Sequence, residues 1–243
     1  MVAANSTMRS LERAIDVLEV LDSAHGSLRL NEVARRTDLP VATVQRILAV
    51  LEARDRVERD AYGYRPGIAL TFGAHAFSTT NPLIRAARPV LVELATLTGL
   101  AATLYRVHRG QRVALSRAGG SSHFGYELVV GSRLPLTTGG GKVLLAQLDD
   151  DAIDHALAGS AASVADPAAL RADIALIRER GYSISREERE PGVASVAAAI
   201  PTDSILASIQ VTGTVDDFPE DQTPEMGRRV RQAATAIGRA LLI

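Results

Sequence analysis

A chain of 243 residues with 47% hydrophobic side chains carries enough apolar material for two ordinary cores, and two domains are the natural expectation at this length. A formal net charge of −1 excludes a generally basic protein, and the lack of any cysteine excludes disulfides and thiolate metal sites. The first ten residues lack the apolar run of a secretory leader and no stretch is long enough for a membrane span, so a cytoplasmic protein with no membrane partner is expected.

Leu11, Ala14, Ile15, Leu18 and Leu21 recur at helical spacing and predict a first helix over 11–21. The stretch from Leu28 to Arg65 then reads as a helix, a tight turn, a second helix and a short hairpin. Asn31 can N-cap a helix from Glu32 to Thr37, with a carboxylate in the first turn where the helix dipole favours it. Leu28, Leu30, Val33, Ala34 and Leu39 supply its buried side. Pro40 pre-sets the first turn of the next helix, over 40–54, in which Val44, Ile47, Leu48 and Leu51 form a core stripe. The opposite face offers Val41, Ala42, Thr43, Gln45 and Arg46, side chains of the types that reach base edges. Val57–Arg59 and Tyr62–Arg65, around Asp60 and Ala61 and closed by Pro66-Gly67, predict a hairpin that can lay Arg59 or Arg65 against phosphates.

That order is the outline of a winged helix-turn-helix, a module that places one helix in the DNA major groove. The candidate DNA-contacting set is Arg9, Arg13, Arg36, Pro40, Val41, Ala42, Thr43, Gln45, Arg46, Arg59 and Arg65. Residues 1–67 hold as many carboxylates as arginines, so contact with double-stranded DNA must depend on where the arginines point. A three-helix bundle, or a winged helix used for protein contacts, is the alternative reading.

Ile68 to Ser78 reads as a linking helix, interrupted by Thr79-Thr80-Asn81-Pro82, and Leu83 to Leu97 as another, stopped by Gly99. From Leu100 the pattern changes to strands, Ala101–Val107 and Arg112–Ser116 around a turn at His108–Gln111, with Phe124–Val130 as a third. Gly131 to Pro135 breaks the pattern and Gly141 to Leu148 opens a helix. Helices follow over Ala152–Leu157 and Pro167–Arg180, the latter with Gly181 as its C-terminal glycine. Strands are expected at Tyr182–Ser185, Val193–Pro201 and Ile205–Thr212, and a last helix from Thr223 to about Leu241. Gathered into one antiparallel sheet with helices on its faces, these make an α+β domain. The expected division is 1–67 for the winged helix-turn-helix, 68–80 for the linker helix and 81–243 for the second domain.

Nothing in the pattern points to an enzyme. There is no GxSxG elbow, and His25, His75, His108, His123 and His155 are scattered without metal-ligand spacing, so no catalytic or metal residues and no cofactor are expected. Glu187, Glu188 and Glu190 alternate with Arg186 and Arg189 as solvated charges at a strand end. The glycine run before Lys142 is not a phosphate-gripping loop, because Leu136 and Val143 stand where that motif needs glycine and a hydroxyl.

The segment from Arg13 through Gly67 resembles the N-terminal half of IclR-family transcription regulators. VGSRLPL (Val130–Leu136), GKVLLAQL (Gly141–Leu148) and GYSISREEREPGVASVAAAI (Gly181–Ile200) resemble the same family's GAF-like effector-binding domain, and the likeness extends from Arg9 to Leu242. It implies a homodimer or homotetramer that reads operator DNA and senses a small-molecule effector, often a carboxylate, as a repressor or an activator. By that resemblance the effector contacts fall on the loop before the GK helix, at Gly139 and Gly140, and on Ser185, Val193, Ser195, Gln210 and Thr212. Some relatives carry Asp, Leu, Cys, Ser and Ser at the last five positions. The family's usual loop, LPLHATALGK, is one residue longer than LPLTTGGGK here and has a histidine where Thr137 stands. The resemblance therefore implies a tighter loop and a compact, polar pocket.

Overall fold

The computed structural model describes residues 2–120, 128–159 and 166–242. They fall into two compact units, Met1–Phe77 and Ser78–Ile243. In the first, α1 (Val2–Asp22), α2 (Leu30–Thr37) and α3 (Val41–Glu52) pack with a hairpin of β1 (Val57–Arg59) and β2 (Tyr64–Pro66). Val17, Leu21, Val33, Val44, Leu48 and Val57 form its buried centre. The first helix begins well before Leu11, and its buried side is Val17 and Leu21; Leu11 and Ile15, expected in the core, are exposed.

Helix α2 starts two residues early. Leu30 packs against the core and draws the chain into helix, so Arg29 holds the N-cap position without a side-chain bond and Asn31 lies exposed inside the helix. Asp38 ends α2 in the left-handed region at φ 53°, a conformation Asp tolerates, and its N–H reaches back to the Ala34 carbonyl. Pro40 precedes α3 as its N-cap rather than lying in its first turn, and its carbonyl accepts from Thr43 and Val44 at 2.8 and 3.1 Å.

The wing is set by one carboxylate and one glycine. Asp60 Oδ1 accepts from the N–H groups of Tyr62 and Gly63 at 2.7 and 3.0 Å, while Oδ2 accepts from Ser27 Oγ at 2.6 Å. The Ser27 bond first, and then the Tyr62 amide, hold the Asp60 carboxyl below its usual range. Gly63 sits at φ 148° against the Leu28 carbonyl, where a β-carbon has no room. Tyr64 beside it exchanges both backbone bonds with Leu28 at 2.8 Å.

Helix α4 (Ala69–Thr80) and helix α5 (Pro82–Thr98) flank Asn81, which is less an interruption than a cap, since its Oδ1 accepts from Ile84 N at 3.2 Å. In the second unit β3 (Ala101–His108), β4 (Gln111–Ala118), β5 (Arg133–Pro135), β6 (Ser183–Arg186), β7 (Val193–Ala199) and β8 (Ala207–Thr214) form an antiparallel sheet in the order β5-β4-β3-β8-β7-β6. The edge strand lies where a break was expected, with Gln111 opposite Pro135. Of the expected strand at 124–130, residues 124–127 lie outside the described residues, and Leu128 and Val129 are not strand.

Between β5 and β6 run a 3-10 turn at Gly139–Gly141, then α6 (Lys142–Leu145), α7 (Asp150–Gly159) and α8 (Pro167–Arg180). The helix expected to reach Leu148 stops after Leu145, and Arg178 from α8 binds the carbonyls of Ala146 and Leu148 at 3.2 and 2.7 Å. Helix α9 (Thr223–Ala240) closes the chain.

The sheet's two faces differ, and this positions the site. Leu104, Val196, Ala198, Ile209 and Val211 pack in one apolar cluster with α5 and α9. The other face carries two polar rows in register, Ser185–Ser195–Thr212 and Ser183–Ala197–Gln210–Thr103. Directly opposed residues share a face, so these side chains all point toward the glycine turn, α6 and α8.

Candidate DNA interface and ligand cleft

On α3, Val44 and Leu48 are buried while Val41, Ala42, Gln45 and Arg46 are exposed and Thr43 is half-buried, with Pro40 exposed just ahead. The face expected to meet DNA is therefore the solvent face of the second helix. Arg46 and Thr43 share a groove of about 390 Å³ with Ser10 and Arg13 of α1, floored by Ile47 and Leu51. Arg9 lies exposed on the same helix as Arg13.

The other arginines of the candidate set are engaged. Arg36 donates Nε–H to Glu32 Oε1 at 2.7 Å. Arg35, which sequence reasoning passed over, binds both oxygens of the same carboxylate at 2.7 and 3.2 Å. These bonds, Arg35 first and Arg36 second, pull the Glu32 carboxyl down to about 2. The signal for Arg35 was present in the i,i+3 spacing from Glu32. Arg65 pairs with Glu58 at 3.2 Å and with Asp60 at 3.8 Å, and Arg59 lies 5.4 Å from the Tyr64 ring centroid. Arg9, Arg13, Arg46 and Arg59 are thus the candidates that carry no carboxylate partner among the described residues, Arg59 instead facing the Tyr64 ring.

In the second unit Gly139, Ser185, Val193, Ser195, Gln210 and Thr212 line a single cavity of about 30 Å³. They arrive from the glycine turn and from β6, β7 and β8. Gly140 is buried but does not line the cavity. A β-carbon there would collide with Gln210 Oε1 and approach Ala197 Cβ to 2.8 Å and Arg112 Nη1 to 3.0 Å. The glycine run is what lets a short loop lie directly on the sheet.

Sequence reasoning missed Arg112. Only 1% exposed, it lines the cavity from β4, donates Nη1–H to Gln210 Oε1 at 2.7 Å and Nε–H to the Pro135 carbonyl at 3.3 Å, and lies 4.8 Å from the Tyr105 ring centroid. Glu188, read as a solvated charge, is also at the site. Its Oε2 accepts from Gly139 N at 2.8 Å and its Oε1 from Lys142 Nζ at 2.6 Å, and Lys142 reaches Asp173 at 2.7 Å as well. Lys142 is 3% exposed. Thr137 and Thr138, beside the turn, have buried hydroxyls with no hydrogen-bond partner among the described residues.

A winged head with an exposed second helix, on a chain whose other unit turns a polar sheet face toward a glycine turn, describes a DNA-binding regulator. Residues 10–61 match the IclR helix-turn-helix domain and residues 75–239 match the bacterial transcriptional regulator IclR C-terminal domain. The chain belongs to the IclR family of transcriptional regulators and is not an enzyme. It is 32% identical over 238 residues to the transcriptional regulator BhcR of Paracoccus denitrificans, covering 93% of this chain and 85% of that one. It is 28% identical over 249 residues to the transcriptional repressor AllR of Escherichia coli K12, covering 98% and 92%. An IclR homologue from Microbacterium hydrocarbonoxydans in complex with 4-hydroxybenzoate shares the fold, with a TM-score of 0.77 at 22% identity over 96% of this chain and 99% of that one. Among the described residues no helix is long and apolar enough to cross a membrane.

Proposed function

We propose that this chain is a ligand-switched operator-binding protein, in which α3 reads DNA and the cleft beside the glycine turn takes a small carboxylate. The observation that supports the sensing half most directly is convergence. Six of the seven expected effector positions, drawn from four separate segments, line one cavity on the polar face of the sheet. The 4-hydroxybenzoate held by the structural neighbour is a carboxylate, which accords with that ligand class.

The reading half assigns base contacts to Val41, Ala42, Thr43, Gln45 and Arg46, and phosphate contacts to Arg9, Arg13, Arg36, Arg59 and Arg65, with Pro40 setting the helix start. We divide the chain into a head over 1–67, a linker helix over 68–80 and a sensor over 81–243. Two heads of a homodimer, or of a pair of dimers, meet a two-fold operator in the cytoplasm. Repression is the output favoured by likeness to AllR. A ligand shifts DNA affinity only as far as its affinities for the two arrangements of the protein differ.

The test is a gel shift on DNA upstream of the gene and its neighbours, with and without small carboxylates. A salt-sensitive shift that a carboxylate alters is the expected result. A shift that no ligand in a broad panel alters leaves a DNA-binding protein whose second unit only oligomerises.

A further inference from the structure

We propose that Glu188 is a resident carboxylate that closes the cleft, and that a small carboxylate enters by taking its place on the Gly139 amide and the Lys142 ammonium. The proposal deepens the effector reading above and rests on it. Glu188 spans two donors: its Oε2 accepts from Gly139 N at 2.8 Å and its Oε1 from Lys142 Nζ at 2.6 Å. Both donor residues are buried, Lys142 being 3% exposed. The chain's own carboxylate therefore already satisfies the turn as an anion would.

The cavity of about 30 Å³ holds one or two waters, so a ligand needs one wall to move. The turn and the sheet leave no slack, since even a β-carbon at Gly140 would collide with Gln210 Oε1. The remaining wall is the exposed hairpin between β6 and β7, which carries Glu188 and Glu190. Glu187 opens it at φ 54°, a left-handed conformation uncommon for a residue with a β-carbon. Moving the hairpin breaks both Glu188 bonds and leaves a buried amide and a buried ammonium short of a partner, which burial makes costly. A carboxylate ligand restores both bonds with the same chemistry, whereas a neutral ligand cannot restore the ionic one. Asp173, 2.7 Å from Lys142 Nζ, holds the ammonium in place through the exchange. With the competitor on the same chain, apparent affinity scales with the fraction of molecules in which Glu188 has let go.

The experiment is titration calorimetry on the full chain with acetate, glycolate, lactate and pyruvate, at neutral pH and constant ionic strength, comparing the unaltered protein with Glu188→Gln and Glu188→Asp. Glutamine gives up the charge; aspartate keeps it but is one methylene shorter and cannot span both donors. At least one acid should bind both variants more tightly, Glu188→Gln by about tenfold and Glu188→Asp by about threefold or more, with unchanged circular dichroism spectra. Tightening by Glu188→Gln alone would report only the loss of a repelling charge and overturn the exchange. Tightening by neither would make Glu188 a support of the site and overturn it too; both results leave the cleft a ligand site. No binding of any acid to any of the three proteins overturns the effector reading as well. If the variants fail to fold, amide exchange on the unaltered protein still decides. With the acid bound, the hairpin amides of Glu187, Gly192 and Val193, which bond within the hairpin, should lose protection while that of Gly139 keeps it. Slower or unchanged exchange at the hairpin amides would leave Glu188 in place and overturn the proposal.

Discussion

Gln210 Oε1 fills the space that a β-carbon on Gly140 would need, and it is held there by Arg112 Nη1 at 2.7 Å. Loop and sheet are thereby coupled through one amide oxygen. Gly140→Ala should cost about 1–3 kcal/mol as an overpacking change. In a Gln210→Ser background the same change should cost clearly less, the remainder coming from Ala197. Thermal unfolding of the four proteins of this double-mutant cycle measures the coupling. Equal costs in both backgrounds would remove Gln210 as the obstacle.

Glu32 binds two arginines of the head, Arg35 and Arg36. Glu32→Ala should raise affinity for random duplex DNA by roughly tenfold at low salt, and steepen the salt dependence by about 0.9 per arginine that reaches the backbone. Fluorescence anisotropy across a salt series reads both quantities. An unchanged slope would show that Arg35 and Arg36 do not approach DNA.

The wing turn carries a pH signature. The Asp60 carboxyl lies below its ordinary value of 3.8, chiefly through Ser27 and then the Tyr62 amide. A lowered folded value means that the contribution is fully present above the unfolded value and is lost as pH falls through the folded one. The Tyr62 and Gly63 amides should therefore stay protected from exchange down to about pH 3.8 and lose protection only below it. Asp60→Ala should remove that protection at neutral pH. Amide exchange followed residue by residue is the measurement.

Lys142 joins the glycine turn, α8 and the hairpin between β6 and β7 through two carboxylates. Lys142→Met should lower stability by about 1–3 kcal/mol, less than for a fully enclosed pair because Asp173 can still reach water. Denaturant unfolding gives the value. A shift of the midpoint without a change in slope would place the effect in stability itself.

The head is legible in the sequence because its elements are short, periodic and packed against their neighbours along the chain. Val44 and Leu48 at helical spacing suffice to orient Gln45 and Arg46 outward. What sequence missed there are ends: Leu30 enters the helix because it has a core to join, a tertiary demand that outweighs the cap preference of Asn31. The cleft is less legible. Ser185, Ser195 and Thr212 lie in one row only because β6, β7 and β8 pair in a particular register, and no local pattern encodes it. Their selection came from family resemblance. Arg112 escaped for a sharper reason. Alternation in β4 sets Val113 and Leu115 on one face and leaves Arg112 on the other, which a sequence reader assigns to water; a distant glycine turn covers that face instead.

The chain's sole lysine is the buried Lys142, clasped by two carboxylates. Amine-directed chemistry consequently meets no accessible side-chain target on the folded protein. Acylating labels, imidoester cross-linkers and reductive methylation should spare it until that corner opens. The reactivity of a single side-chain ammonium thus becomes a clock for opening, readable by mass spectrometry of the peptide that carries it, apart from any label on the α-amino group.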